Sequence, residues 1–278
     1  MLNPDKVKEF ETPSKEELKV MLSLAIKAAE RAGRIIYRYW GDLDEAHIQS
    51  KSSWRDLVTI ADKEAEGAIL ALIESEYPDH EIISEEGGGA KHHGSKSVFQ
   101  WAIDPLDGTM NFRHSYPFFA VSIGLIYDGE PLLGVIYDPI KDELFTGIKG
   151  SGAFLNGRPL TVSDTGELKD ALLVTGFAYH ADDLQEYSLK LFQKLNFATH
   201  GIRRDGSAAL DLAYVAAGRF DGFWEYGLKL WDIAAGIVIL REAGGSVSRL
   251  DGSVFDLKDP QILATNATLK NALIKFLN

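Results

Sequence analysis

The sequence predicts a mixed α/β, or α+β, protein, and three observations carry that prediction. Apolar residues recur at helical period near both ends of the 278-residue chain. Short β-prone segments separated by Asp-Gly and Asn-Gly turns fill its middle. Beyond about residue 165, strand-like and helix-like segments alternate. A largely antiparallel first half and an alternating second half call for layered helices and sheets.

Residues 1–13 are polar and lack an apolar core, so they read as a flexible arm and not as a secretory signal. Ser14 and Glu17 have capping-box spacing. Leu18, Met21, Leu22, Ala25, Ile26 and Ala29 then repeat at helical period, and Ile35, Ile36 and Trp40 extend this helix to Gly41. Ala65, Ala68, Ile69, Leu72 and Ile73 predict a second helix over Thr59–Tyr77, ended by Pro78. Glu81–Ser84 and Val98–Ile103 read as strands flanking the Gly-rich stretch 87–96. Phe119–Tyr127 and Leu132–Tyr137 flank Asp128-Gly129 as a hairpin. Glu143–Ile148 and Ala153–Leu155 follow, with a second such turn at Asn156-Gly157. Strands are then expected at Ala171–Thr175, Asp221–Tyr226 and Ile262–Ala264. Helices are expected at Asp183–Leu195, Ser207–Ala217, Trp231–Ala243 and Ala267–Phe276. A soft seam near 160–168 divides the chain into halves 14–160 and 161–278.

Composition narrows the chemistry. With no cysteine, a disulfide framework, Cys-ligated zinc, an iron–sulfur cluster and a cysteine nucleophile are excluded. Any metal must therefore rest on oxygen ligands or on the seven histidines. A net charge of −12 argues against broad nucleic-acid binding, which needs a basic footprint. No stretch approaches the roughly 18–20 apolar residues of a membrane span, so a soluble, cytoplasmic protein is expected.

The informative residues are acids beside strand ends and turns. In Trp101-Ala-Ile-Asp104-Pro-Leu-Asp107-Gly-Thr109 an apolar strand delivers Asp104, Pro105 takes the chain out of extended pairing, and Gly108 opens a turn. If a helix starts at Thr109, carboxylates for a hard cation and free amides for an anion meet there. A solvated Asp-Gly turn is the plain alternative. Glu85-Glu86 follow another short strand, although paired glutamates are usually surface charge. Trp231-Asp232-Ile-Ala-Ala-Gly236 sets one acid at the start of an apolar helix, where an ordinary cap also accounts for it. Asp56-Leu-Val-Thr59-Ile-Ala-Asp62 surrounds a helix start with two acids, and capping explains Thr59 or Asp62 singly.

In this order and spacing the four segments resemble the inositol monophosphatase family, the Mg²⁺-dependent, lithium-sensitive phosphatases, from about residue 18 to the end. The resemblance implies a layered αβαβα sandwich like that of fructose-1,6-bisphosphatase, and a homodimer. It implies that Glu85, Asp104 and the Leu106 carbonyl hold one metal ion and that Asp104, Asp107 and Asp232 hold a second. A third, weaker Mg²⁺ would share Glu85, and Mn²⁺ could substitute. Thr109 and Asp62 would orient the attacking water, and the Gly108 and Thr109 amides would grip the phosphate. Lys51 would lie near the site, while Glu225 and Ala208 would touch the substrate's hydroxylated ring. Two cations roughly 3.5–4 Å apart suit a reaction whose uncatalysed rate is among the slowest known.

The implied substrate is a small phosphorylated polyol, inositol 1-phosphate first. Fructose 1,6-bisphosphate, histidinol phosphate and 3′-phosphoadenosine nucleotides are the alternatives. A bisphosphate or nucleotide pocket needs further cations, for which Arg203, Arg204, Lys229 and His180 are the nearby choices. Arg203 and Arg204 are expected to serve structure by pairing with Asp205 or Asp211. His92 and His93 read as a solvated loop tip, and the aromatic groups Tyr116/Phe118/Phe119 and Phe223/Trp224/Tyr226 as packing. A binding protein that kept the fold without the chemistry is the other class. The presence of every expected acid argues against it.

Overall fold

The computed structural model describes residues 12–42, 48–51, 57–87, 97–177 and 183–277. Most of the expected arm, Asp56, His92, His93 and His180 lie outside the described residues.

The first helix, α1 (Lys15–Tyr39), starts as its spacing requires: Glu17 N–H donates to Ser14 Oγ, and the Glu17 carboxylate accepts from Ser14 N–H at 2.7 Å. A small antiparallel pair, β1 (Ile48–Ser50) and β2 (Leu57–Thr59), leads into α2 (Ile60–Glu76). The residues after it form a seven-stranded sheet: β3 (Glu81–Ser84), β4 (Phe99–Asp107), β5 (Ala120–Tyr127), β6 (Glu130–Asp138), β7 (Glu143–Ile148), β8 (Gly152–Leu155) and β9 (Arg158–Pro159). A one-turn helix, α3 (Thr109–Arg113), separates β4 from β5. Only β3 runs parallel to its neighbour. Asp128-Gly129 and Asn156-Gly157 make the expected tight turns, all four residues having positive φ.

The second half builds a five-stranded sheet from β10 (Leu172–Thr175), β11 (Gly201–Arg203), β12 (Gly222–Tyr226), β13 (Ser246–Ser248) and β14 (Gln261–Thr265), in the order β11-β10-β12-β14-β13. Its helices are α4 (Asp183–Asn196), α5 (Ala208–Ala216), α6 (Leu230–Glu242) and α7 (Lys270–Leu277). Three apolar clusters define five layers. Helices α1 and α2 cover the outer face of the seven-stranded sheet with Ala25, Ala29, Ile36, Ile69 and Ile73. Between the sheets lie α5 and α6, whose faces are apolar almost all round. Leu191, Leu195 and Leu273 of α4 and α7 close the far face of the second sheet. The architecture is the expected αβαβα sandwich.

Two local features aim the site. Asp107 lies three positions after Asp104, so in a regular strand they would face opposite sides of the sheet. The pairing absorbs one extra residue here: Asp104 opposes Ser122 and Asp107 opposes Ala120. This bulge accommodates Pro105, which has no N–H for the ladder, and turns both carboxylates to one side. It also lets β4 run to Asp107, past the Ile103 end expected from the sequence. The second feature is a row of glycines, Gly124, Gly134 and Gly147, paired across β5, β6 and β7. A Cβ on Gly134 would lie 2.3 Å from the Ala235 carbonyl oxygen, and one on Gly124 would lie 2.9 Å from Ala235 N. The row lets α6 approach the sheet at backbone distance, which delivers its first turn, with Asp232, to the end of β4.

Candidate active site

The acids from four separated segments meet in one cavity of about 510 Å³. Its lining includes Lys51, Glu85, Asp104, Leu106, Asp107, Gly108, Thr109, Ala208, Glu225 and Asp232. Asp62 lies just behind, fully buried, and accepts the Thr109 hydroxyl proton at 3.0 Å. The residues that the resemblance implies for the ions, the water and the substrate are therefore brought together.

The surroundings of each acid are distinct. Asp62 is the third residue of α2 and its other oxygen accepts from both the N–H and the hydroxyl of Thr59, so its capping role is real as well. Burial pushes it up to about 6, against the hydrogen bonds from Thr59 and Thr109 that favour its charge. Asp104 accepts from Leu106 N–H at 3.0 Å. Burial first, then the charges of Glu85, Asp107 and Asp232, hold its carboxyl well above the usual range. Asp107 is pushed to about 6 by burial, opposed by bonds from Ser207 Oγ and Ala209 N–H, each at 2.7 Å. Asp232, third residue of α6, accepts from Lys229 N–H at 2.6 Å, and burial followed by Asp107 raises it strongly. Burial and Asp107 raise Glu225 to about 8, with Arg204 opposing.

Such raised values mark acids crowded together in a low-dielectric pocket, a group that a divalent cation would relieve. Among the described residues no three carboxylates or histidines already stand close enough to enclose one ion. Lys51 instead spans Glu85 and Glu86, at 2.7 Å from the former. Burial works against its charge, yet the two carboxylates raise its pKa above the ordinary lysine range. The donor set fits a hard cation: it is all oxygen, it is anionic, and it converges from β4, α6 and the turn after β3. Gly108, at φ +100°, starts α3 in a conformation that suits glycine. A Cβ there would sit 3.0 Å from the Phe118 carbonyl oxygen.

The inositol monophosphatase family model matches residues 17–278. The chain belongs to that family. An inositol-1-monophosphatase of Synechocystis sp. is 48% identical over 94% of this chain and 89% of its own length. A Nus factor SuhB of Pseudomonas aeruginosa is 46% identical over 91% and 94%. The solved inositol monophosphatase of Anabaena sp. superposes with a TM-score of 0.81 at 44% identity, covering 94% of this chain and 96% of that one. As a member of this family, the chain is a phosphatase that hydrolyses phosphomonoesters. The family is metal-dependent, in keeping with the all-oxygen donor set.

The structure adds residues that the sequence reading did not single out. Ser207 caps α5 and also holds Asp107, a double duty that its N-cap position could have signalled. Asn111 donates both amide hydrogens, to the carbonyls of Phe118 and Asp205, and so ties α3 to the loop before α5. Gly176 stands against Glu225, where a Cβ would meet the carboxylate at 2.1 Å. Arg204, expected to pair with Asp205 or Asp211, does favour the charged form of Asp211, and it also lines the cavity and favours the charged form of Glu225. Arg203 is exposed and bonds its neighbour's carbonyl. Phe118, Phe119, Phe223, Trp224 and Tyr226 are buried packing, as expected, whereas Tyr116 is exposed.

Proposed function

We propose that the chain hydrolyses inositol 1-phosphate, or a close polyol monophosphate, with Mg²⁺ held by Glu85, Asp104, the Leu106 carbonyl, Asp107 and Asp232. The observation that carries this reading is the convergence of those donors on one cavity that also holds the Thr109–Asp62 pair and Glu225. Bound divalent ions would supply positive charge against the phosphate and a polarised water; two to three per site are inferred, with Mn²⁺ a substitute.

The rest falls to the chain's own residues. The Thr109 hydroxyl reaches both Asp62 Oδ1, at 3.0 Å, and the Leu106 carbonyl, at 3.1 Å; with its hydrogen on Asp62, the Thr109 oxygen keeps a lone pair to accept from the attacking water. Its raised pKa, about 6, lets Asp62 receive a proton through Thr109 at near-neutral pH. The amides of Gly108 and Thr109 face the phosphate oxygens. As water adds to phosphorus, the ester P–O bond breaks and the released alcohol oxygen takes up a proton. Glu225 and the Ala208 backbone would hold the ring, the former by hydrogen bonds to hydroxyls. Lithium inhibition, a homodimer and a cytoplasmic site of action belong to the same proposal. Among the described residues no helix is long and apolar enough to cross a membrane.

A second reading, a phosphatase for a sugar bisphosphate, histidinol phosphate or a 3′-phosphoadenosine nucleotide, draws on Arg204 and Lys229, which line the same cavity. A kcat/KM panel over these substrates with Mg²⁺ separates the two. Inositol 1-phosphate is expected to lead. Preference for any of the other substrates would favour the second reading, and release of phosphate from none would end both.

A further inference from the structure

Glu66 lies one turn after Asp62 on α2 and is 8% exposed. Its Oε1 accepts from the Glu86 amide at 3.2 Å and the Gly87 amide at 2.9 Å. These amides belong to the turn that carries Glu85. The start of that turn is fixed by the Glu85 N–H, which donates to the Ile103 carbonyl of β4 at 3.1 Å. Lys51 holds the Glu85 and Glu86 carboxylates from the cavity side. Gly87 passes close over its neighbours: a Cβ there would lie 2.7 Å from Ser84 Oγ and 3.6 Å from Glu66 Oε1. One carboxylate oxygen, on a helix packed against the sheet, thus sets the height of the backbone just past Glu85.

We propose that Glu66 is a positioning residue, whose reach to the Glu86 and Gly87 amides places Glu85 toward Asp104 and thereby sets the affinity for divalent ions. The inference rests on reading Glu85 as an ion ligand. It is separate from a simple field effect, in which the negative charge of Glu66 would attract cations whatever its hydrogen bonds.

Two substitutions split reach from charge. Glu66→Gln keeps an oxygen acceptor at the same distance and removes the charge. Glu66→Asp keeps the charge and draws the acceptor back by one methylene, about 1.5 Å, beyond hydrogen-bond range of both amides. The full chain, stripped of metal, is titrated with Mn²⁺ and free ion is counted by its EPR signal, with thermal melts beside it. Placement predicts that Glu66→Asp weakens Mn²⁺ binding by about tenfold or more while Glu66→Gln stays within about threefold of the parent, in the range of effect seen for groups that orient metal ligands. The opposite ranking, or no loss in Glu66→Asp, overturns it. Should Glu66→Asp fail to fold, Gly87→Ala lifts the same turn from the Ser84 side and is expected to show the same weakening; unchanged affinity there is equally fatal. Glu85→Gln is the reference. If it binds Mn²⁺ like the parent, the ion-ligand reading falls and takes this inference with it. If it weakens binding and Glu66→Asp does not, Glu66 alone is refuted.

Discussion

Replacing Gly176 with alanine puts the role of Glu225 under direct test. Gly176 follows β10, and the parallel register that pairs Thr175 with Trp224 sets it beside Glu225. A Cβ there would lie 2.1–2.3 Å from the carboxylate atoms, against an ordinary contact of 3.4 Å or more, so the carboxylate must move by about 1 Å. The clash is with the far end of a side chain that lines an open cavity, so the backbone is not displaced. Hydrogen bonds to a carboxyl group that is out of place lose about 1.5–3 kcal/mol, a factor of about 10–150. kcat/KM for inositol 1-phosphate should fall by that factor. Turnover of 4-nitrophenyl phosphate, which has no ring hydroxyls, should change by no more than about threefold. Urea unfolding of the parent and variant controls for stability. Equal losses on both substrates, or none on either, would refute the assignment of Glu225 to the substrate ring.

Thr109→Val removes the hydroxyl between the expected water and Asp62 while keeping the side-chain shape. kcat should drop about 10²–10⁴-fold, the usual weight of a positioned proton relay, with KM little changed; a drop confined to KM would point to phosphate binding instead. Asp104→Asn should abolish turnover yet leave the metal-free protein at least as stable by calorimetry, because it removes a buried charge that Glu85, Asp107 and Asp232 oppose. A lower Tm in EDTA would contradict that account. The pH dependence has a definite sign. Asp62 rises from 3.8 to about 6 and Glu225 from 4.5 to about 8, so the folded state binds more protons than the unfolded one between those values. In EDTA, stability from these groups is therefore full at the acid end and lost as pH rises from about 4 through 8. Calorimetric scans should show Tm falling across that window and saturating Mg²⁺ flattening the trend; a Tm that climbs with pH would show that burial of these acids is not felt.

Much of the site was legible because its chemistry sits in short motifs. Asp104, Asp107 and Thr109 fall within six residues, and the caps at Ser14 and Thr59 declare themselves by spacing. Long amphipathic segments gave α1 and α2 nearly to the residue, since a helix buries one face at a fixed period. The strands β1, β2, β9, β11 and β13 were not foreseen, being two or three residues long. A segment that short completes hardly one alternation, so only its partner strand makes it a strand. The apolar run of α6 was foreseen as buried, but nothing local said that Gly124, Gly134 and Gly147 would align beneath it.

By itself, then, the sequence determined which residues carry charge, where chains of backbone hydrogen bonds begin and end, and which side groups can bind a hard cation. These depend on neighbours a few positions away. Tertiary structure alone decided that Asp104 and Asp107 face one side across a bulge, that Asp232 reaches them over a glycine floor, and that Ser207, Arg204, Gly176 and Glu66 attend the acids. Those relations join residues a hundred and more positions apart. They come from packing two sheets and three helix layers to close contact, which local pattern does not encode.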